Sequence, residues 1–446
     1  MSRFVAGSTK AQITLDVSRA LASACGRHGI AAGAWEGLKR RAAALHRRLA
    51  LKRRRRRLAF AEVPYESKRP LRDIERAVRA RSHLSSMLVL GIGGSALGTR
   101  TIVEAVGPGK KPVHVLDNVD PETAAATLDR LDLRKTLVNV VTKSGGTAET
   151  LALLLRVLEY ARRRKVKIPP EHVVVTTDPQ PSELSRIAAG EGWALLTLPR
   201  GVGGRFSVLT CVGMFPAHFA GLRAVEILAG ARRMADALWF GEPRKNPALL
   251  SALLLHALAT KKEKSVLAVM PYADRLLGLA RWHAQLWAES LGKERDLRRK
   301  PVRAGQTPVV ARGATDQHSQ LQLYLEGPRD KVVAFLRVEK FSDRGRLARA
   351  FENFSSFGYL SGKSLEELLD AEARATAFAL ARAGCPNFTL SIPALTERTL
   401  GALFYFFEFQ TVAAAALWNV NPFDQPGVEA GKHRTYALMG RKGYAR

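Results

Sequence analysis

The chain has 446 residues, 46% of them hydrophobic and 25% charged, an ordinary soluble composition with room for two or three domains. No run of about 20 uninterrupted apolar residues occurs, so a conventional membrane-spanning helix is not expected. The nearest stretch, residues 401–418, carries Glu408 and Gln410 and reads as a buried helix. Cys25, Cys211 and Cys385 lie far apart without metal-ligand spacing, no leader-type apolar segment is read, and a reducing cytoplasm is the expected setting.

The formal net charge of +30 is the unusual quantity. Residues 1–60 hold fifteen Lys/Arg against Asp16 and Glu36, and Lys52 to Arg57 are six consecutive cations. Few aromatics interleave with that run, which removes the stacking half of a single-strand site. It reads as a solvated face, and no nucleic-acid partner is expected. A positive field also draws in small anions.

In chain order, residues 1–60 read as a basic helical arm rich in Ala, Leu and Arg. A loop with Pro64 and Pro70 and a polar helix over 71–83 follow. From Met87 short apolar runs alternate with helical patterns: strands are expected at 87–92, 113–117, 137–142, 173–177 and 194–198, with helices between them. Continuous apolar runs separated by helices indicate a parallel sheet covered on both faces. A long helical stretch over 207–239 ends at a Pro/Gly break over 241–247. The alternation then resumes, with strands at 266–270, 307–310, 332–338 and 388–392 and helices at 275–293, 317–325, 364–383 and 396–418. The expected architecture is α/β: two doubly wound parallel-sheet domains, over 61–225 and 240–425. The helical arm precedes them and a C-terminal segment over 426–446 follows.

Two loops carry phosphate-type chemistry. Val138 to Thr150 runs from an apolar strand through a small-residue turn into a helix, placing Thr142, Ser144, Thr147 and Thr150 around a helix N-terminus. Unpaired N–H groups and a partial positive charge make such a terminus an anion cradle. Gly91-Ile-Gly93-Gly94-Ser95-Ala96-Leu-Gly98 nearly satisfies a dinucleotide fingerprint, with Asp117 as a candidate ribose acid. A second phosphate-type loop favours a single sugar phosphate over a pyrophosphate, although a nicotinamide dehydrogenase remains an alternative.

Together these loops resemble the sugar isomerase (SIS) fold, and four further segments resemble the glucose-6-phosphate isomerase family. They are Gly201-Val-Gly-Gly-Arg205-Phe-Ser, Gln285-Leu-Trp-Ala-Glu289-Ser-Leu-Gly-Lys293, Thr315-Asp-Gln-His318-Ser-Gln and Asn421-Pro-Phe-Asp-Gln425-Pro-Gly-Val-Glu-Ala-Gly-Lys432. The six segments span Gly91 to Lys432 in the family's order. The resemblance implies an aldose–ketose isomerisation through a cis-enediolate. Glu289 is implied as the base, Arg205 as the cation beside the developing charge, and His318, helped by Lys432, as the ring-opening group. Implied phosphate contacts are Ser95, Thr142, Ser144, Thr147 and Thr150; implied sugar contacts are Gly94, Gln285 and Gln425. It further implies no metal and no cofactor, a small sugar phosphate as ligand, no membrane, and a homodimer whose partner subunit supplies the histidine. Gly146 stands where the family's phosphate loop has a threonine. The alternatives are an isomerase that also accepts mannose 6-phosphate and a non-catalytic sugar-phosphate sensor.

Overall fold

A computed structural model of the chain describes residues 3–6, 12–107 and 109–444. Its strands are β1 (Arg3–Ala6), β2 (Ile13–Asp16), β3 (Ser86–Leu90), β4 (Val113–Leu116), β5 (Thr136–Val141), β6 (Val173–Thr177) and β7 (Ala194–Thr197). They continue with β8 (Val266–Tyr272), β9 (Lys293–Arg295), β10 (Pro301–Ala304), β11 (Thr307–Val310), β12 (Lys331–Val338) and β13 (Asn387–Ile392).

The first sheet is parallel throughout, in the order β4-β3-β5-β6-β7. Every residue of β3, β5 and β6 is buried, as a sheet covered on both faces requires. The chain leaves β3 toward β4 and leaves β5 toward β6, on the opposite side. The loops after β3 and β5 therefore flank the point where strand order reverses, the place where such sheets bind ligands. Both loops named above, Gly91–Ser95 and Thr142–Thr147, are at this point.

The second sheet runs β1-β2-β13-β12-β8-β11, with β11, β8, β12 and β13 parallel. Here the expectation of a wholly helical arm fails. Arg3–Ala6 and Ile13–Asp16 are strands, and β2 pairs antiparallel with β13, matching Leu15 to Leu390. Two four-residue strands carry too short a pattern to stand out beside an Ala/Leu/Arg-rich helix, but they cover an edge that would otherwise expose unpaired backbone groups. The helical part of the arm is Ala32–Arg54, which turns Trp35, Leu38, Ala42, Leu45 and Leu49 inward. The helical stretch expected over 207–239 is two helices, Cys211–Phe219 and Ala224–Phe240, separated where Gly221 takes a left-handed φ of +79°.

Strand alternation sorts the core. Met87, Val89, Leu137 and Val141 from the first sheet share one continuous cluster with Leu267, Val269, Leu336 and Leu390 from the second. The intervening residues Leu88, Leu90, Val138 and Val140 face a separate outer cluster, and Ala268, Met270 and Val333 face a third. The inner faces of the two sheets thus pack on shared helices. One of these, Glu397–Trp418, is the one helix among the described residues apolar and long enough to cross a membrane. Within its most apolar window, 94% of the residues are buried inside the protein. It crosses Ala224–Phe240 at two glycines: a Cβ on Gly401 would lie 1.8 Å from the Ile227 carbonyl oxygen, and one on Gly230 would lie 1.8 Å from that of Arg398. The helices following β3 and β8, Leu97–Val106 and Leu277–Leu291, also pack together, the Thr101 hydroxyl donating to the Gly278 carbonyl at 3.0 Å.

Because nothing at the helix crossing can yield except backbone, Gly401→Ala is expected to destabilise the fold by about 1–3 kcal/mol or more. The readout is a lowered urea midpoint at unchanged denaturant slope.

Candidate active site

The site is assembled around one buried guanidinium. Arg205 sits in the short turn Gly204–Phe206 with its side chain only 3% exposed. Its Nε donates to the Ser290 hydroxyl at 2.8 Å, and Nη1 donates to Glu289 Oε2 and to Gln425 Oε1, each at 3.0 Å. Nη2 donates to the carbonyls of Pro422 at 2.5 Å and Asp424 at 3.0 Å. Burial pushes its pKa down, opposed chiefly by the Glu289 carboxylate. An arginine nonetheless stays charged at any working pH.

Glu289 lies near the end of the helix Leu277–Leu291, one turn after Gln285, whose Nε2 donates to Glu289 Oε1 at 2.9 Å. Each carboxylate oxygen thus has one fixed donor, and the side chain keeps 33% exposure, open to a ligand on its remaining side. Lys293 donates to the Glu289 carbonyl at 2.5 Å and the Asp424 carbonyl at 3.0 Å. Burial, with Arg205 nearby, holds its pKa below the ordinary lysine value.

Gly94 brings the first loop against this centre. A Cβ there would lie 2.4 Å from the Gly204 carbonyl carbon and 2.6 Å from the Arg205 amide nitrogen, so only glycine fits. Ser95 follows, half-buried, at the end of the turn Gly93–Ser95.

In the second loop the Thr142 and Thr147 hydroxyls lie 2.8 Å apart, and the Ser144 hydroxyl lies 3.4 Å from that of Thr147 and accepts from the Gly146 amide. Thr147 is the N-cap of Ala148–Arg163, yet its side chain makes no capping bond, which leaves first-turn amides free for an anion. Gly145 turns the chain at φ +66°, where a Cβ would strike the Ser182 hydroxyl. Thr150 differs from the other three: it is fully buried and its hydroxyl has no partner among the described residues, so it lies beneath the loop rather than on its open side.

The fold therefore brings together Arg205, Glu289, Gln285, Gln425 and Gly94, and separately the hydroxyls of Thr142, Ser144 and Thr147. It does not bring in His318 or Lys432. His318 ends the exposed turn Thr315–His318 and makes no hydrogen bond to the cluster. Lys432 is exposed on Glu429–Leu438 and pairs with Glu429 at 2.9 Å. Ser290 and the Pro422 and Asp424 carbonyls are contacts that sequence reasoning missed, although all three lie within quoted motifs. No group of three or more His, Cys, Asp or Glu that could hold a metal occurs among the described residues.

The family model for phosphoglucose isomerase matches residues 72–441. The chain belongs to the phosphoglucose isomerase family. It is 42% identical over 399 residues to the glucose-6-phosphate isomerase of Carboxydothermus hydrogenoformans, covering 87% of this chain and 86% of that one. Against the enzyme of the same name from Rubrobacter xylanophilus it is 42% identical over 396 residues, covering 86% and 90%. Among solved structures, a hypothetical protein from Thermus thermophilus superposes with a TM-score of 0.84 at 38% identity, covering 91% of this chain and 97% of that one. A glucose-6-phosphate isomerase from Chlamydia trachomatis shares the fold at TM-score 0.83 and 23% identity, covering 98% and 89%. The family's members are isomerases, and so is this chain.

Lysine in place of Arg205 keeps the charge but cannot serve partners on three sides at once. Arg205→Lys is expected to lower isomerase kcat by about 100-fold or more while the protein stays folded by circular dichroism.

Proposed function

We propose that the chain interconverts glucose 6-phosphate and fructose 6-phosphate by ring opening and proton transfer through a cis-enediolate. The observation that carries this is the pairing of Glu289 with a buried, immobile Arg205 at 3.0 Å, beside the loop that leaves β3. Isomerisation needs a base that takes the C2 proton of the aldose and returns it to C1. Glu289 does this, becoming neutral while the proton is held and ionised again when it is given back. As the carboxylate loses its charge, negative charge develops on the enediolate oxygens. The guanidinium, already oriented and shielded from water, is then released from its ion pair to face that charge.

The sugar phosphate binds with its phosphate at the hydroxyls of Thr142, Ser144 and Thr147 and the helix N-terminus behind them, with Ser95 completing the cradle. Gly94, Gln285 and Gln425 line the sugar. Thr150 supports the loop from below. The reaction needs no metal and no cofactor, because both hydrogens it moves leave as protons.

Ring opening requires a group that moves a proton between the O1 hydroxyl and the ring oxygen, and His318 of a second subunit fills that role, with Lys432 assisting. His318, exposed and without a hydrogen bond or ion pair among the described residues, supports this reading. So does the segment after β12, where Phe351, Phe354, Phe357 and Tyr359 are 52–66% exposed, an apolar surface that a solitary chain rarely leaves open. We read that surface as part of a contact between two copies, with composite active sites. The cysteines are all free and buried, which supports a reducing setting.

Glu289→Gln preserves shape and removes the base, so activity is expected to fall by a factor on the order of 10³ while the sugar phosphate still protects against thermal unfolding. Retained activity would sink the assignment. Composite sites predict complementation: inactive Glu289→Gln and His318→Gln chains, unfolded, mixed and refolded together, should regain about one quarter of wild-type activity, because each mixed dimer holds one intact site. No recovery from a mixture that assembles would place His318 outside the partner's site.

A further inference from the structure

The six-cation run Lys52–Arg57 turns out to be the end of a longer basic face. On the helix Ala32–Arg54 the inward positions are Trp35, Leu38, Ala42, Leu45 and Leu49. The outward ones form two rows at seven-residue spacing: Arg40, Arg47 and Arg54 in one, and Arg41, Arg48 and the C-cap Arg55 in the other, all exposed. Small or apolar side chains, Ala44 and Leu51, lie between the rows. None of the six arginines makes an ion pair among the described residues. The helix's one acid, Glu36, lies near Arg40 but is engaged by Lys39 at 2.6 Å. Their neighbours behave differently: Arg53 pairs with Glu62 at 2.7 Å, and Arg56 approaches Glu66 at 3.7 Å.

The charges crowd one another. Lys52 is held below its ordinary pKa by burial and then by Arg48 and Arg57. His256, on the adjoining helix Pro247–Lys262, is pushed down to about 4 by burial with Arg41 and Lys261 nearby. Lys261, in the last turn of that helix, is exposed. Such a surface is strained by like-charge repulsion when free and relieved by a polyanion. Two copies of this face laid against each other would repel.

We propose that this face docks on duplex DNA, its two arginine rows reaching the phosphate walls on either side of the major groove without reading bases. Residues seven apart rise about 10.5 Å, so each row extends about 21 Å, and the rows diverge by about 100° around an axis of about 10–12 Å diameter. A B-form major groove about 12 Å wide admits a helix of that size, and the narrow, deep major groove of A-form RNA does not. The helix presents no exposed aromatic for stacking single-stranded bases. Its apolar side is committed to the core, so it cannot enter a membrane interface as an amphipathic helix would. Neutralised phosphates and released counterions supply the binding, as a chain of net charge +30 favours.

The test is fluorescence anisotropy of the full-length protein with a labelled mixed-sequence duplex of about 20 base pairs, titrated at several salt concentrations. Raising salt from about 50 to about 200 mM should weaken wild-type binding by about 10³-fold. The R40Q/R41Q/R47Q/R48Q protein, altered only at exposed positions outside the active site, should bind about 100-fold more weakly at low salt, show a shallower salt slope and keep wild-type isomerase activity. Equal affinity and slope in the variant would overturn the proposal. So would equal or tighter binding to duplex RNA or single strands, binding to phosphatidylglycerol vesicles in place of DNA, or no binding at about 50 mM salt.

Discussion

A buried guanidinium is costly unless every face of it is answered, and the centre of this protein is organised by that requirement. Arg205 is answered by Ser290 and Glu289 from the helix that follows β8, and by Gln425 and the Pro422 and Asp424 carbonyls from the segment before the last helix. Three stretches far apart in the chain are thereby held to one another at hydrogen-bond distance. A fourth, the turn after β3, is pressed onto the Gly204–Arg205 backbone, where a side chain at Gly94 would not fit. The same bonds that stabilise the charge also place it beside the Glu289 carboxylate.

The two sheets make that assembly possible because they share a helical layer. Inner-face residues of both belong to one core cluster, and the helix Glu397–Trp418 is buried on nearly all sides within it. Helices Leu97–Val106 and Leu277–Leu291 each follow a central strand and pack directly on one another. The loop at the reversal point of the first sheet consequently lies against the carboxylate-bearing helix of the second. The phosphate-type hydroxyls stand at the neighbouring strand end. In the proposed function, the phosphate is held at one strand end and the proton is moved by the helix carboxylate, a division that suits a ligand with a charged tail and a reactive head.

Not all of the charge in the chain belongs to that centre. Five arginines of the N-terminal helix and its C-cap Arg55 lie on its outer side without an ion pair among the described residues, whereas Arg53 is stacked on Tyr65 and Trp239 and tied to Glu62. One basic run thus contains both a packing residue and free charge, and composition cannot separate them.

By itself the sequence determined the alternation of apolar runs and helical patterns, and hence the parallel core of both sheets. That core depends on burial on two faces, which leaves a continuous apolar signature. Six motifs in the order of the family they resemble also pointed to Gly94, Arg205, Gln285, Glu289 and Gln425, which the fold brings together. Three things were decided only by the tertiary structure. Short β1 and β2 exist because β13 offers them an edge, a long-range partner with no local trace. The break at Gly221 was fixed by its left-handed backbone angle, because one glycine weakens a helix without dictating that it ends there. The orientation of hydroxyls and cations was also settled by packing: Thr150 turns inward while Thr142 and Thr147 meet, and the outer arginines of the N-terminal helix are exposed while Arg205 is enclosed. Residue type is written in the chain, but whether a polar group meets solvent, a partner or neither depends on what the fold lays against it.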